Sequence, residues 1–141
     1  DADSQRSSLS ANPLNYYERY QVTRAALLEG KLSVDEFSIV PFPINFPDLY
    51  HYYVPRDAVF FLTIYDEWGE KKLKVFESLG YLTEVLWRKP LAEKGITSTS
   101  IREHIINGRQ WEHLVPPAVA TKLKELDSIR RILEAEPNGK G

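Results

Sequence analysis

The stretch of residues 95–102 has the residue types of a helix start that can bind phosphate. Four hydroxyl residues, Thr97, Ser98, Thr99 and Ser100, precede apolar positions that recur at helical spacing. Their side chains can cap the N–H groups of a first helical turn. Those N–H groups, the positive end of the helix dipole and Arg102 together suit a phosphate. An ordinary helix cap has the same pattern and is the commoner case, so both interpretations stay open at this point.

A second group of candidate residues follows the most continuous apolar run, residues 58–64. The length of that run and its β-branched and aromatic content predict a central parallel strand covered on both faces. In open α/β sheets the ligand crevice lies beyond the carboxyl ends of such strands. Asp66 and Trp68 therefore lie where specificity residues are expected. Asp66 or Glu67 can equally cap the next helix, and Trp68 can be a packed residue at its start.

Other catalytic chemistry has no supporting pattern in the sequence. It contains neither a Gly-x-Ser-x-Gly nucleophile elbow nor a Cys. His104 and His113 lie beside Glu103 and Glu112, but no pair of ligands stands at i,i+4, so no metal site is predicted. His51 lies in an aromatic segment and is interpreted as a packing residue.

The elements that must position these candidates alternate along the chain. Strands are predicted at residues 37–42, 58–64 and 82–87, and helices at about residues 16–29, 67–79, 98–107 and 117–133. This order predicts an α/β fold with a doubly wound, Rossmann-like parallel sheet, of which only the second half is present. Half a sheet leaves an edge and apolar surface uncovered. A preceding segment of the same polypeptide, or a second chain, is therefore expected to cover them.

Length and composition limit the classes of protein that fit. The 141 residues suit one domain, with a loop at 1–13, a body at 14–134 and a flexible tail at 135–141. A formal charge of −2 argues against nucleic-acid binding, and no apolar run reaches membrane length. With no Cys, a reducing cytoplasm is the expected location. The absence of Met indicates a fragment, or modified methionines omitted from the sequence.

Residues 96–102, Ile-Thr-Ser-Thr-Ser-Ile-Arg, resemble the Ile-Ser-Gly-Thr-x-Ile-Arg signature of nicotinamide-mononucleotide adenylyltransferases of archaeal type. Similar stretches at residues 84–87, 93–95 and 114–119 extend the resemblance to about residues 1–120. Within it, Glu18 and Arg19 resemble a pair that fixes the first helix. Thr97 stands where the family usually has Ser, and Ser98 where it usually has Gly.

The resemblance implies an enzyme that transfers AMP from ATP to nicotinamide or nicotinate mononucleotide and releases pyrophosphate. It implies that Thr97, Ser98, Thr99 and Arg102 bind the ATP phosphates, that Arg102 is the catalytic residue, and that Mg²⁺ accompanies ATP. It also implies that Trp68 stacks on the nicotinamide ring beside Asp66. A homo-oligomer is compatible with this interpretation, and no nucleic acid or membrane is expected as a partner.

The same family places a His-x-x-His element in its first strand-to-helix turn, and this sequence contains none. A preceding segment or a second chain is therefore expected to supply the histidines. The alternative is a non-catalytic nucleotide-binding, sensing or interaction domain that kept the phosphate-binding helix start and lost transfer chemistry.

Overall fold

A computed structural model describes residues 12–135. Its chain divides into two compact units: the sheet unit, Val40–Gly95, and the helical unit, which comprises residues 12–39 and 96–135 of the described part. The predicted loop at residues 1–13 lies almost wholly outside the described residues, as does the predicted tail at 135–141. The single-domain organisation stays a prediction.

The described residues form two strands and five α-helices, joined by short 3-10 helices. In chain order they are α1 Tyr16–Glu29, β1 Val59–Ile64, α2 Glu67–Ser78, β2 Leu82–Arg88, α3 Ser98–Ile106, α4 Pro117–Glu125 and α5 Ser128–Glu134. No helix in the range 12–135 has both the length and the apolar character needed to cross a bilayer.

The sheet unit contains a parallel pair of strands with α2 as the crossover between them. Val59 pairs with Leu82 and Ile64 with Arg88, and the register shifts once because Leu62 pairs with Val85 whereas Thr63 pairs with Trp87. Leu86 is therefore the extra residue of a β-bulge in β2. The α/β class with a parallel sheet is confirmed.

Aromatic rings dominate the core of the sheet unit. Phe60 of β1 stacks on Phe76 of α2, with ring centroids 4.1 Å apart. The buried Tyr50 packs against Phe42 at 4.6 Å and against Phe76 at 5.5 Å, and its hydroxyl donates to the carbonyl of Ile44 at 2.6 Å. These rings fix α2 on one face of the sheet.

The other face of the sheet is exposed, which corrects the expectation that residues 58–64 are covered on both sides. Leu62 and Ile64 are buried, but Phe61 is 60% exposed and Val59 43%. Leu82 and Leu86 of β2 are likewise exposed. The run is apolar on both faces, yet among the described residues only one face is packed.

The strand predicted at residues 37–42 is wrong. These residues have no ladder partner and form no regular element. Pro41 has no N–H to donate, and a second proline, Pro43, follows the end of the segment, so the segment cannot maintain a regular ladder on both sides. Phe42 nevertheless packs against the sheet-unit core, which accounts for the apolar character that suggested a strand.

In the helical unit, α1 begins as predicted and is fixed by an ion pair. The Asn15 side chain accepts from the Glu18 N–H at 2.9 Å, and the Glu18 carboxylate accepts from the Asn15 N–H at 3.0 Å, forming a capping box. The same carboxylate receives both Nη groups of Arg131, which also donate to the carbonyls of Pro13 and Leu126. Glu18 thus fixes the helix as its resemblance to the family pair indicated, and it does so through Arg131. The role of Arg19 stays a prediction.

The single helix predicted over residues 117–133 is also wrong, because Asp127 breaks it. Its φ of 56° is left-handed, a conformation that Asp tolerates better than most residues. The hydroxyl of Ser128, which is buried, donates to the carbonyl of Leu123 at 2.6 Å across the break. The break rotates the apolar stripe, so that Ile132 is buried and Leu133 exposed.

The helical unit packs mainly through aliphatic side chains. α1 lies against α4, and α3 against α5. The buried residues at these contacts are Ile105, Trp111, Ala120 and Ile132. At the end of α1, the Glu29 carboxylate accepts from the Ala118 N–H at 2.8 Å and so caps the first turn of α4.

Candidate functional site

The first turn of α3 has the geometry expected from its sequence. Thr97 is the N-cap residue, in extended conformation, and its hydroxyl oxygen accepts from the Ser100 N–H at 3.1 Å. Ser98 and Thr99 occupy the first two helical positions, where backbone N–H groups have no intrahelical acceptor. Those two N–H groups and the helix dipole form the part of the turn that suits an anion.

Arg102 lies in the second turn of α3, directly after the hydroxyl residues. Its Nη2 donates to the Thr99 hydroxyl at 3.2 Å, which brings the guanidinium back toward the start of α3. Since the guanidinium has five N–H donors, one such bond leaves most of its donor capacity for a ligand. The structure therefore brings Thr97, Ser98, Thr99 and Arg102 together within one helix start.

The histidine on this helix has a backbone partner. Nδ1 of His104 lies 2.8 Å from the Ser100 carbonyl oxygen, which fits a structural bond to the preceding turn. Over residues 12–135, no group of three or more His, Cys, Asp or Glu side chains is placed to hold a metal ion.

In the sheet unit, Asp66 caps α2. Its carboxylate accepts from the Gly69 N–H at 2.9 Å. A Cβ on Gly69 would lie 3.1 Å from the Ile64 side chain and 3.4 Å from the Ile64 Cα, so glycine permits the close approach of α2 to the end of β1. Asp66 and Gly69 together set where the first turn of α2 lies.

Trp68 lies in that first turn and is 43% exposed. The Lys72 Nζ stands 4.1 Å from the centroid of its indole ring, a cation–π contact along the helix. The indole is thus positioned at the surface of the sheet unit. Its predicted stacking on a ligand ring stays a prediction.

A cleft of about 380 Å³ opens at the carboxyl ends of β1 and β2. Its lining residues are Ile64, Tyr65, Asp66, Glu67, Glu70, Arg88, Lys89 and Pro90. Asp66 is among them, but Trp68 is not. The cleft lies where an open α/β sheet places its ligand crevice, and the ligand role of Asp66 stays a prediction.

Sequence reasoning missed the charged pair that crosses this cleft. The Arg88 Nε donates to Glu70 Oε1 at 2.8 Å, from the end of β2 to α2. The bond from Arg88 lowers the pKa of the Glu70 carboxyl. The two residues are 18 positions apart, and only the pairing of β2 with β1, together with its bulge, brings them together. The one feature of the sequence that could have indicated this pair is a basic residue, Arg88, directly after a predicted parallel strand.

An aromatic pair stands beside the charged one. The Trp87 indole N–H donates to the Tyr65 hydroxyl at 2.8 Å, which joins the ends of the two strands. The Lys89 Nζ lies 5.0 Å from the Trp87 ring centroid, and the Lys94 Nζ lies 5.4 Å from that of Tyr65. The Lys89 N–H donates to the Ile64 carbonyl at 3.0 Å and extends the ladder into the cleft.

The chain is similar to named enzymes over most of its length. It is 44% identical over 130 residues to a phosphonoformate cytidylyltransferase of Streptomyces viridochromogenes, a match that covers 92% of the chain and 70% of that enzyme. The chain belongs to the nucleotidyltransferases. No family model matches this nucleotidyltransferase.

Two further relatives act with a different nucleotide. The nucleotidyltransferase is 34% identical over 139 residues to the nicotinamide-nucleotide adenylyltransferase of Ignicoccus hospitalis, over 93% of the chain and 76% of that enzyme. It is 33% identical over 132 residues to the enzyme of the same name from Pyrococcus furiosus, over 92% and 68%. The resemblance to this family and the enzyme class are therefore confirmed. By their names, one of these relatives transfers a cytidylyl group and the other two transfer an adenylyl group.

Proposed function

We propose that the chain transfers a nucleotidyl group from a nucleoside triphosphate to a phosphonate or phosphate oxygen of a small anionic acceptor. That oxygen attacks the α-phosphorus, the bond to the β-phosphate oxygen breaks, and pyrophosphate leaves. No protein nucleophile is needed for this reaction. The observation that carries the proposal is the helix start at Thr97–Arg102, where the guanidinium is bonded back to the Thr99 hydroxyl, in a chain of this family.

Cytidylyl transfer to phosphonoformate is the first candidate reaction. It is favoured by the 44% identity to the enzyme of that name, against 29–34% for the nicotinamide-nucleotide adenylyltransferases. Adenylyl transfer to nicotinamide or nicotinate mononucleotide is the second candidate. It is favoured by the similarity of residues 96–102 to the signature of those enzymes.

Thr97, Ser98, Thr99 and Arg102 are the proposed ligands of the triphosphate. The first-turn N–H groups would receive a phosphate oxygen, and Arg102 would neutralise charge that moves toward the leaving pyrophosphate. We keep Mg²⁺ as a proposed companion of the nucleotide, where it would supply further charge neutralisation on the phosphates.

Trp68 is the proposed contact for the acceptor, through its exposed indole. Asp66 would act on that contact by positioning α2, since its carboxylate is bonded to the Gly69 N–H. If so, an acceptor that carries an aromatic ring, such as nicotinamide mononucleotide, should quench tryptophan fluorescence, and Trp68→Ala should remove that quench. Trp111→Phe is the control, because Trp111 is buried in the helical unit. A quench that survives Trp68→Ala would place the acceptor elsewhere.

The histidines that the family uses are proposed to come from a preceding segment of the same polypeptide or from a second chain. The exposed apolar face at Val59, Phe61, Leu82 and Leu86 supports this proposal, because natural proteins seldom leave such a face bare. A homo-oligomer and a cytoplasmic location also stay proposals.

The deciding experiment measures pyrophosphate release by the full-length protein. CTP and ATP are each paired with phosphonoformate and with nicotinamide mononucleotide, and products are identified by mass spectrometry. We expect CMP-phosphonoformate as the main product. A dinucleotide formed only from ATP and the mononucleotide would favour the second candidate. Binding of nucleotides without any turnover would favour the non-catalytic sensing domain.

A further inference from the structure

The start of α3, which carries the proposed phosphate ligands, depends on α5 for a fixed position. α3 has nine residues, and an isolated helix of that length is only marginally stable in water. The two helices pack through one apolar cluster that includes Ile105 and Ile132, and Ile101 packs against this cluster. Because Arg102 follows Ile101 directly, the contact between α3 and α5 bears on where the guanidinium lies.

α5 is shorter still, with seven residues, and a buried hydroxyl fixes its first turn. At the left-handed turn, the Asp127 N–H donates to the Lys124 carbonyl at 3.1 Å. It is therefore lost to the Leu123 carbonyl, its acceptor in an unbroken helix. The fully buried Ser128 hydroxyl donates to that carbonyl instead, at 2.6 Å. Ser128 thus anchors the first turn of α5 to the end of α4.

Arg131 is the second anchor of α5. Its Nη1 donates to the Pro13 carbonyl at 3.3 Å and to Glu18 Oε1 at 2.7 Å. Its Nη2 donates to Glu18 Oε2 and, at 2.8 Å, to the Leu126 carbonyl. Each Nη group makes two bonds, which engages both of its hydrogens. Arg131 therefore joins α5 to the start of α1 and to the end of α4, and it retains no Nη donor for a ligand.

We propose that Arg131 and Ser128 are positioning residues for the phosphate-binding start of α3, and that they act through the packing of α5 on α3. When either anchor is removed, α5 opens locally more often and α3 loses its apolar support. The first-turn N–H groups and Arg102 then meet a phosphate together for a smaller fraction of the time, which lowers the affinity by that fraction. The proposal rests on the proposed function, in which the start of α3 binds the triphosphate.

The test measures binding of inorganic triphosphate to the full-length protein by calorimetric titration. Arg131→Lys keeps the charge, but an ammonium cannot hold both carboxylate oxygens and two carbonyls. We expect its affinity for triphosphate to fall by about threefold to tenfold. Arg130→Lys is the matched control at the next position, where the side chain makes exposed ion pairs, and it should bind as the wild type does. Ser128→Ala should reproduce the loss without a change of charge.

A second measurement distinguishes positioning from a general loss of stability. Amide hydrogen exchange at Ile101 and Arg102 in the ligand-free protein reports local opening of the start of α3. It should be faster in Arg131→Lys than in the wild type. Val119→Ala removes buried surface of α4 that lies outside the cluster between α3 and α5. It should lower the free energy of unfolding and leave both the exchange and the triphosphate affinity unchanged.

The outcomes separate this proposal from the proposed function. Unchanged triphosphate affinity in folded Arg131→Lys and Ser128→Ala, or an equal loss in Val119→Ala, would overturn the positioning role whether or not turnover occurs. A loss confined to the two anchor variants, in a protein that releases no pyrophosphate, would support the positioning role and refute the transfer reaction. A wild type that does not bind triphosphate would overturn both.

Discussion

The two units build their polar sites in opposite ways. In the helical unit, the candidate phosphate ligands come from six consecutive residues, 97–102, on one helix start. In the sheet unit, the cleft is assembled from residues 64–70 and 88–90, which meet only because β2 pairs with β1. The geometry of a helix start is determined by residues that are adjacent in sequence. The cleft instead depends on strand register and on how α2 packs, so its chemistry is sensitive to substitutions in the core below it.

The hydrophobic cores of the two units also differ, in the types of side chain that form them. The sheet unit relies on contacts among large rings, whereas the helical unit relies mainly on aliphatic side chains of α3, α4 and α5, together with the indole of Trp111. A ring that touches several others cannot be removed without a large cavity. The five predictions that follow test this contrast, in order of expected effect.

Phe76→Ala should destabilise the protein most, by about 3–5 kcal/mol, because Phe76 contacts Phe42, Tyr50 and Phe60 and little could refill its space. Denaturant unfolding followed by circular dichroism measures the loss. The matched control is Phe61→Ala on the exposed face of β1, where a change within about 0.5 kcal/mol is expected. A comparable loss in both variants would show that polypeptide outside residues 12–135 covers the exposed face.

Arg102→Lys should weaken binding of CTP or ATP by about 1–3 kcal/mol, because an ammonium cannot bond phosphate oxygens at two points as a guanidinium does. The loss should come without a change in the unfolding midpoint. Arg109→Lys, beyond the end of α3, is the control and should bind nucleotide normally. Unchanged affinity in folded Arg102→Lys protein would assign Arg102 to structure.

Arg131→Gln should lower the free energy of unfolding by about 1–3 kcal/mol, because Glu18 would lose both charged donors. Arg130→Gln, at an exposed neighbour with surface ion pairs, should cost at most about 1 kcal/mol. Equal losses would mean that the Arg131 contacts add nothing beyond ordinary surface pairing.

The contribution of this pair should also depend on pH. Bonds from Arg131 lower the pKa of Glu18 below its ordinary value. Stability from the pair is therefore present above the unfolded-state pKa, about 4.3, and is lost as pH falls through the lower folded-state value. The stability difference between the wild type and Glu18→Gln should shrink over that acidic range. A difference that grows on acidification would contradict the assignment.

The two helix caps should have equal effects on stability and different effects on binding. Thr97→Ala and Asp66→Ala each remove one side-chain acceptor at a helix start and should cost about 1 kcal/mol. Inorganic triphosphate serves as the ligand, because it has no base. Its affinity should fall only in Thr97→Ala. A matching fall in Asp66→Ala would place phosphate contacts in the sheet unit.

The parts of the fold that were predictable from sequence are those with local causes. Asn15 and Gly30 define the ends of α1, and Thr97 and Asp66 each cap a helix as their neighbours in sequence require. β1 and β2 were predicted because their apolar runs are flanked by polar or turn-forming residues. The cleft pair Arg88–Glu70 was not predictable, since no local pattern states which residue of α2 lies beside the end of β2.

The errors have physical causes of the same kind. Residues 37–42 are apolar because Phe42 packs into the core. The spacing of apolar residues does not distinguish a segment that packs against the core from one that also pairs in a sheet. The turn at Asp127 has no Gly or Pro to mark it, and the apolar residues on both sides continue at near-helical spacing. In each case a non-local contact, which the sequence does not show, decides the structure.

The bulge at Leu86 changes which face of the sheet the following side chains of β2 lie on. In an unbroken ladder Trp87 would lie opposite Ile64, and Arg88 would fall one position beyond β1 and turn to the opposite face. The extra residue instead returns Arg88 to the face of α2, where Glu70 meets it. If Leu86 were deleted, the ladder would be regular and Arg88 would still lie opposite Ile64. If Leu86 were kept but the ladder were regular, Trp87 would lie opposite Ile64 in place of Arg88. The charge of the cleft is thus encoded partly in the length of a strand.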